Sequence, residues 1–286
     1  MMQAEHSAAR APVNKIIPFS GVDGPGNRAA VFLQGCGYTC GYCHNPETIR
    51  LCSNCGDCIP VCRDGALVLQ NGYVKWSEAA CKGCDACIAV CRNFSSPKVR
   101  NMTAKSVMHE LSEALPFITG ITASGGECTL YATFLCELFV LARQAGKHTM
   151  VDTNGQRLFS EMPELLNIMD AAALDVKTTG AKEHLALTGA PVDTVLENLT
   201  LLAEAGKLFE VRTVIAPGRL ENHRTVADVA RLIARYPGVR YKLIRFRPYG
   251  VRGQWADAPV PDGALMRELA ALANDNGAAR IEIVGD

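Results

Sequence analysis

No apolar run in this chain is long enough to cross a bilayer, which takes about 20 consecutive apolar residues. Neither sign of charge dominates. Its 29 basic and 29 acidic residues cancel, which removes the electrostatic footprint expected of a nucleic-acid or anionic-membrane binder. A positively charged start followed by an apolar run and a cleavage site is also missing, so the expected location is the cytoplasm and structural disulfides are not expected. What is present suffices for a sizeable core: 48% of the 286 residues are apolar, a length that suits one large domain or one domain with an insertion.

Cysteine is abundant and unevenly placed. Eleven of the thirteen lie between Cys36 and Cys91. Cys36, Cys40 and Cys43 read C-x3-C-x2-C, three thiolates without a fourth. Cys52, Cys55, Cys58 and Cys62 read C-x2-C-x2-C-x3-C, and Cys81, Cys84, Cys87 and Cys91 repeat that pattern. A cubane cluster has four iron corners, so a three-cysteine loop leaves one iron open to chelate a small molecule. The two four-cysteine runs match the bacterial two-cluster ferredoxin pattern, in which the last cysteine of each run ligates the other cluster. Three [4Fe-4S] clusters are therefore expected, one reactive and two built to carry electrons. Zinc fits less well, because three cysteines at successive x2 spacing crowd one tetrahedron. The Cys40-Gly-Tyr-Cys43-His44 match to covalent haem attachment would leave Cys36 idle and needs export. Cys128 and Cys136 have no partners at metal spacing and read as buried free thiols.

Around this region the pattern alternates. Residues 1–13 read as a flexible leader, and short strands at 14–19 and 27–33 flank the turn Asp23-Gly-Pro-Gly26. The stretch 49–98 has few long apolar runs, so clusters would have to substitute for a core. Thr103 can cap a helix running to Leu115. Strands are then expected at 120–124, 147–152, 171–176, 208–215, 240–246 and 281–284. Helices are expected at 130–145, 158–168, 181–187, 192–205, 222–236 and 262–274, with Gly146 and Gly206 as stops. Such β–α alternation argues for parallel strands with crossover helices, as an open sheet or a full or partial barrel formed by 14–48 and 99–286. Ligands gather at the C-terminal strand ends of either architecture. There the sequence puts Ser124-Gly125-Gly126-Glu127, Asp152-Thr153-Asn154-Gly155 and Asp175-Val176-Lys177, with Arg212 in the next strand. Each alone reads as an ordinary turn, cap or solvated ion pair. Their repetition at consecutive strand ends, beside a loop with an open iron, points to a site.

Together these residues carry a resemblance. Cys36-x3-Cys40-x2-Cys43 resembles the motif of the radical S-adenosylmethionine superfamily. Ser20-Gly-Val-Asp-Gly-Pro-Gly-Asn-Arg28 and Cys40-Gly-Tyr-Cys43-His-Asn-Pro46 resemble the glycyl-radical enzyme activating enzymes, of which pyruvate formate-lyase activating enzyme is one, over most of residues 14–250. The insertion narrows the likeness to members with two auxiliary clusters, most like the YjjW-type activase. The resemblance implies a partial (β/α)6 TIM-like barrel carrying a ferredoxin-like insertion. It also implies reductive cleavage of S-adenosylmethionine to a 5′-deoxyadenosyl radical, which takes a hydrogen from a backbone glycine of a partner glycyl-radical enzyme. Electrons would come from a low-potential flavodoxin or ferredoxin, in an anaerobic setting. By matching position, Tyr42, Cys43 and His44 would line the adenosine end and Gly126 would offer backbone to the methionine amine, with Gly125 and Glu127 beside it also expected among the cofactor-binding residues. Asp175 and Lys177 would hold the ribose and carboxylate region, with Val176 and Arg212 also expected among the cofactor-binding residues. Asp152, Thr153 and Asp175 resemble the oxygen ligands of a monovalent cation.

This chain departs from the family in having Gly250 where Pro-Tyr-His is common, Cys128 where Pro often follows Gly-Gly-Glu, and Arg63 and Arg92 where ferredoxin runs carry Pro. Two other readings are kept open. An electron-transfer protein accounts for Cys52–Cys91 but leaves the three-cysteine loop unexplained. A radical enzyme acting on another peptide or small molecule would usually carry its auxiliary cysteines after the barrel, and none follows Cys136.

Overall fold

In the computed structural model, which describes residues 8–248, 251 and 253–285, strand and helix alternate from Gly120 to Val284. Two compact units are distinguished: Cys36 and the residues before it with Asn45–His148, and Gly37–His44 with Thr149 onward.

The first unit contains strands β1 (Arg10–Ser20) and β2 (Arg28–Leu33), the hairpin strands β3 (Leu67–Gln70) and β4 (Tyr73–Trp76), then β5 (Arg100–Thr103) and β6 (Gly120–Gly125). Its helices are α1 (Ala86–Val90), α2 (Ala104–Glu110) and α3 (Ala132–Gln144). Strands pair in the order β5–β1–β2–β6, with β1 antiparallel to both β5 and β2 and β2 parallel to β6, so the sheet is mixed. Five of the six β2 residues are buried, the pattern of a strand covered on both faces. Thr103 caps α2 as expected, its Oγ1 accepting from the Ser106 N–H at 3.2 Å. At the N-terminal end of β2 the guanidinium of Arg28, fully buried, donates to Thr122 Oγ1 (2.7 Å) and to the carbonyls of Ile121 (3.0 Å) and His148 (3.2 Å). Thr122 donates in turn to the Asp23 carbonyl at 2.6 Å, which pins the Asp23-Gly-Pro-Gly26 turn onto β6.

The second unit carries β7 (His148–Thr153, from Thr149 on), α4 (Pro163–Ile168), β8 (Ala171–Asp175), α5 (Ala181–Thr188), α6 (Asp193–Glu204), β9 (Leu208–Ile215), α7 (Asn222–Ile233), β10 (Arg240–Arg245), α8 (Gly263–Asp275) and β11 (Arg280–Val284). Its strands run parallel in the order β7–β8–β9–β10–β11. Asp262 caps α8 by accepting from the Leu265 N–H at 2.8 Å. Gly206 follows α6 in the left-handed region, where a Cβ would be strained.

Three expectations are corrected. Residues 10–13, assigned to a leader, form the start of β1. Ala11 and Val13 are fully buried and pair with β5, so their alternation is that of a strand with one covered face. Residues 1–7 of that leader, like Gly250, lie outside the described residues. The single helix at 158–168 is a 3-10 turn (Phe159–Glu161) followed by α4, because Pro163 cannot donate and starts a new helix. The helix expected to reach Leu115 ends at Glu110 and gives way to turns and a 3-10 segment at Leu115–Phe117. The cysteine-rich stretch, in addition, holds a hairpin. Asn71 and Gly72, both at positive φ, form the two-residue turn between β3 and β4.

Candidate functional site

In the first unit, the C-terminal ends of β2 and β6 lie side by side, Leu33 opposite Gly125. The chain leaving β2 is fastened on both sides. The Gly35 N–H donates to the Thr48 carbonyl at 2.8 Å and the Cys36 N–H to the Ile49 carbonyl at 2.7 Å. Gln34, fully buried, donates its amide to the carbonyls of Glu47 (2.6 Å) and Arg50 (2.7 Å), and the Tyr131 hydroxyl donates to the Gln34 carbonyl at 2.7 Å. Gln34 thus clips the entry of the 35–50 segment to its exit, a role nothing in the sequence reading assigned. A polar side chain closing an apolar strand just before Gly-Cys was the available signal.

Gly125 and Gly126 pack against this clip. Gly125 has a φ of +123°, and a Cβ there would meet the Leu33 backbone at 2.2 Å. A Cβ on Gly126 would come within 2.3 Å of the Gly35 carbonyl oxygen and 2.6 Å of that of Thr48. Bareness at Gly126 is therefore required by the backbone around Cys36, quite apart from any ligand. Glu127 is buried; its backbone N–H donates to the Gly35 carbonyl at 2.8 Å and its carboxylate accepts from the Thr129 N–H (3.0 Å) and hydroxyl (2.7 Å), capping the 3-10 turn that precedes α3.

In the second unit, the loop 37–44 is tied to the end of α5, with the Thr39 N–H donating to the Thr188 carbonyl (2.9 Å) and the Gly41 N–H to that of Leu187 (3.2 Å). Tyr42 is buried among Leu187, Ala216, Phe246, Val251 and Ala258, and its hydroxyl has no hydrogen-bond partner among the described residues. The indole of Trp255 meets the Tyr42 ring edge-on at 5.3 Å and covers Gly41, where a Cβ would fall 2.1 Å from the indole nitrogen. Trp255 is a second residue missed from sequence. His44 is exposed, its Nε2 3.0 Å from the Arg247 carbonyl oxygen.

The parallel register brings the predicted charges together. Asp175 at the end of β8 pairs with Arg212 on β9, and Arg212 with Lys242 on β10. Lys177 Nζ is 3.2 Å from Asp175 and 5.6 Å from the centre of the Tyr42 ring. Burial alone would raise the Asp175 carboxyl, but Lys177 and Arg212 outweigh it and hold the group below the ordinary carboxylate range. Lys177 is held well above the usual lysine value, its burial outweighed by the negative groups around it, Asp175 foremost. Burial raises the Cys40 thiol, with Lys177 opposing. Arg212 grips Asp152 through both terminal nitrogens (3.0 and 3.3 Å) and donates its Nε to Glu210 at 2.8 Å. Glu210, only 3% exposed, also faces Arg240 (2.8 Å) and Lys242 (3.1 Å). A buried carboxylate among three cations thereby fixes the angle of Arg212. Val176 lies in the core, its carbonyl accepting from Thr213, and the Thr153 hydroxyl accepts from the Gly155 N–H at 3.0 Å. Asn198, fully buried in α6, spans the turn after β7 by donating to the carbonyls of Gly155 (3.0 Å) and Arg157 (2.8 Å) and accepting from Phe159 N–H (2.9 Å).

Residues 30–233 match the family model of the radical SAM superfamily. The chain belongs to that superfamily. It is 30% identical over 261 residues to the benzylsuccinate synthase activating enzyme of Thauera aromatica, covering 83% of this chain and 79% of that one. A Haemophilus influenzae protein, provisionally named a glycyl-radical enzyme activating enzyme, is 28% identical over 292 residues, with 94% and 95% covered. These relatives set the chain within the glycyl-radical activating branch of the radical SAM proteins. The fold is similar to that of QueE from Escherichia coli, with a TM-score of 0.54 at 11% identity over 97% of this chain and 95% of that one.

Radical SAM chemistry asks for soft thiolate donors, and the cysteines supply them. Among the described residues no three His, Cys, Asp or Glu side chains converge on a point fit for a single metal ion. A cubane spreads its thiolates over separate irons, so its ligands stand further apart than those of one ion. In the cysteine-rich stretch, Cys62, Cys81, Cys84 and Cys87 line one recess of about 320 Å³, counting the part open to solvent, with Trp76 and Lys98. Cys58 and Cys87 are buried together with Leu67 in a small apolar cluster that Ile59, Val74 and Ile88 cover. Arg63 and Arg92 are exposed, Cys128 is buried, and Cys136 is half-buried in α3.

Proposed function

We propose that the chain activates a partner glycyl-radical enzyme, with Cys36, Cys40 and Cys43 holding a cluster whose open iron binds S-adenosylmethionine. When bound, such a cluster would supply the one electron needed for reductive cleavage of the sulfonium–C5′ bond, and the resulting 5′-deoxyadenosyl radical would take a hydrogen from a glycine of the partner. The observation that carries this reading is the half-buried Lys177–Asp175 pair beside Cys40 and under Tyr42. Lys177 offers a fixed cation to a carboxylate, and Asp175 an acceptor to ribose hydroxyls. Tyr42 and Trp255 provide an aromatic wall that keeps water away from a reactive primary radical. Gly125, Gly126 and Glu127 hold the backbone next to Cys36, while in the chain His44 follows Cys43 and Val176 lies between Asp175 and Lys177. Asp152, Thr153 and Asp175 are the oxygen donors for a monovalent cation, which would share the Asp152 carboxylate with Arg212.

The insertion, on this reading, carries two auxiliary [4Fe-4S] clusters, as in YjjW-type activases. One is held by Cys81, Cys84 and Cys87 with Cys62, the other by Cys52, Cys55 and Cys58 with Cys91. The recess lined by the first of these sets supports it. A low-potential flavodoxin or ferredoxin would deliver electrons there, in the cytoplasm of an anaerobic cell. No helix among the described residues is long and apolar enough to cross a membrane. The test is to mix the anaerobically reconstituted protein, a reductant and S-adenosylmethionine with glycyl-radical enzymes of known reaction. A glycyl doublet in the electron paramagnetic resonance (EPR) spectrum of one of them is expected. Uncoupled cleavage with every such enzyme, but coupled turnover of a small molecule or short peptide, would overturn the activase reading.

A further inference from the structure

Trp76 ends β4, opposite Leu67, and this register turns its ring into the recess lined by Cys62, Cys81, Cys84 and Cys87. Its Nε1 is shielded from solvent and has no hydrogen-bond acceptor among the described residues. A buried N–H without an acceptor is costly, on the order of 1–3 kcal/mol, so a donor so placed points to an acceptor supplied by a bound group. Charge does not distinguish the recess. Lys98 is paired with Asp85 at 2.5 Å, and Lys82 and Asp64 complete the rim with one charge of each sign. Potentials of iron–sulfur clusters follow net charge, hydrogen bonds to sulfur and exposure. With the rim charges balanced, the indole N–H is the feature that sets this recess apart.

We propose that Trp76 donates its indole N–H to a sulfur of the cluster held by Cys62, Cys81, Cys84 and Cys87, and thereby raises that cluster's reduction potential. The inference rests on the two-cluster reading of the insertion. A donor to sulfur stabilises the more negative, reduced cluster, so this member of the pair takes up an electron more readily than its thiolates alone would allow. Trp76 is a positioning and tuning residue, not a cluster ligand.

The test is a potentiometric titration of the full-length reconstituted protein followed by EPR, comparing wild type with Trp76→Phe and with 3-benzothienylalanine at position 76. The second replacement keeps the bicyclic ring and removes only the N–H. One auxiliary signal should shift to lower potential by about a tenfold change in its reduction equilibrium, about 59 mV for a one-electron couple. The other two clusters should stay in place, with iron content unchanged. Unshifted potentials at full iron content in both variants would overturn the proposal. So would loss of iron from both, which would make Trp76 a packing residue. A wild-type protein with about four irons and no auxiliary signals would instead bring down the reading of the insertion.

Discussion

Replacing Gly126 by alanine puts a methyl group where the backbone leaves no room for one. The added carbon would stand 2.3 Å from the Gly35 carbonyl oxygen and 2.6 Å from that of Thr48, shortfalls of 0.7 and 0.4 Å against a 3.0 Å limit. Both neighbours are main chain, so neither can rotate aside, and the strain passes into the segment that holds Cys36. That segment is fixed by four short bonds: Gly126 N–H to Leu33, Glu127 N–H to Gly35, Gly35 N–H to Thr48 and Cys36 N–H to Ile49 (2.7–2.9 Å). Overpacking of this kind costs about 1–3 kcal/mol. At about 2 kcal/mol the geometry that presents Cys36 is disfavoured roughly thirtyfold. Iron per chain after anaerobic reconstitution should fall from about twelve towards eight, with the auxiliary EPR signals kept and 5′-deoxyadenosine formation lost. If Gly126 served only the methionine amine, iron would be retained and the loss would appear in the S-adenosylmethionine titration. Full iron with wild-type turnover would refute the packing argument altogether.

Lys177→Ala should leave iron content unchanged and raise the S-adenosylmethionine concentration needed to perturb the first cluster's EPR signal by roughly ten- to a hundredfold, the worth of a charge-assisted hydrogen bond of about 1.5–3 kcal/mol. Replacing the eight cysteines from Cys52 to Cys91 should leave about four irons and slow activation driven by a protein reductant. Dithionite should partly restore it; equal slowing with both reductants would mean that the insertion docks or folds rather than relays. His184, fully buried against the Ala190 carbonyl (2.8 Å), is held below its ordinary 6.5 by burial and is neutral in the fold. Its contribution to stability is complete above about pH 6.5 and is lost as pH falls through the lower, folded value. The melting temperature should drop over that window in wild type and less steeply in His184→Gln, as read by thermal scans across pH.

Much of the β–α alternation was legible because its apolar runs are bounded by local chemistry: Thr103 and Asp262 as caps, Gly146 and Gly206 as stops. The start of β1 and all of β5 were not, since Arg-Asn-Met-Thr has little strand character and becomes a strand through its pairing with residues 10–13. The β3–β4 hairpin carried its signal, Asn71-Gly72 between two alternating runs, in a stretch whose cysteines invited a cluster-only reading. In the site, cysteine spacing and the Asp175–Lys177 pair could be read directly, because ligand count and charge are properties of the residues themselves. Gln34, Asn198, Glu210, Trp76 and Trp255 could not. Gln34, Asn198 and Trp255 act through partners 13 to 214 positions away, Glu210 through cations on its own and the neighbouring strand, and Trp76 through a recess lined from separate runs of the chain; single-sequence periodicity says nothing about such pairs.

The central claim is that the Cys36–Cys40–Cys43 loop holds the cluster at which S-adenosylmethionine is cleaved. It is tested most directly by measuring 5′-deoxyadenosine and methionine under anaerobic reduction, with wild type beside a variant in which those three cysteines are alanine. Wild type should form the two products in equal amounts. The triple variant should form neither while keeping about eight irons in the insertion. Cleavage retained in the triple variant would contradict the account.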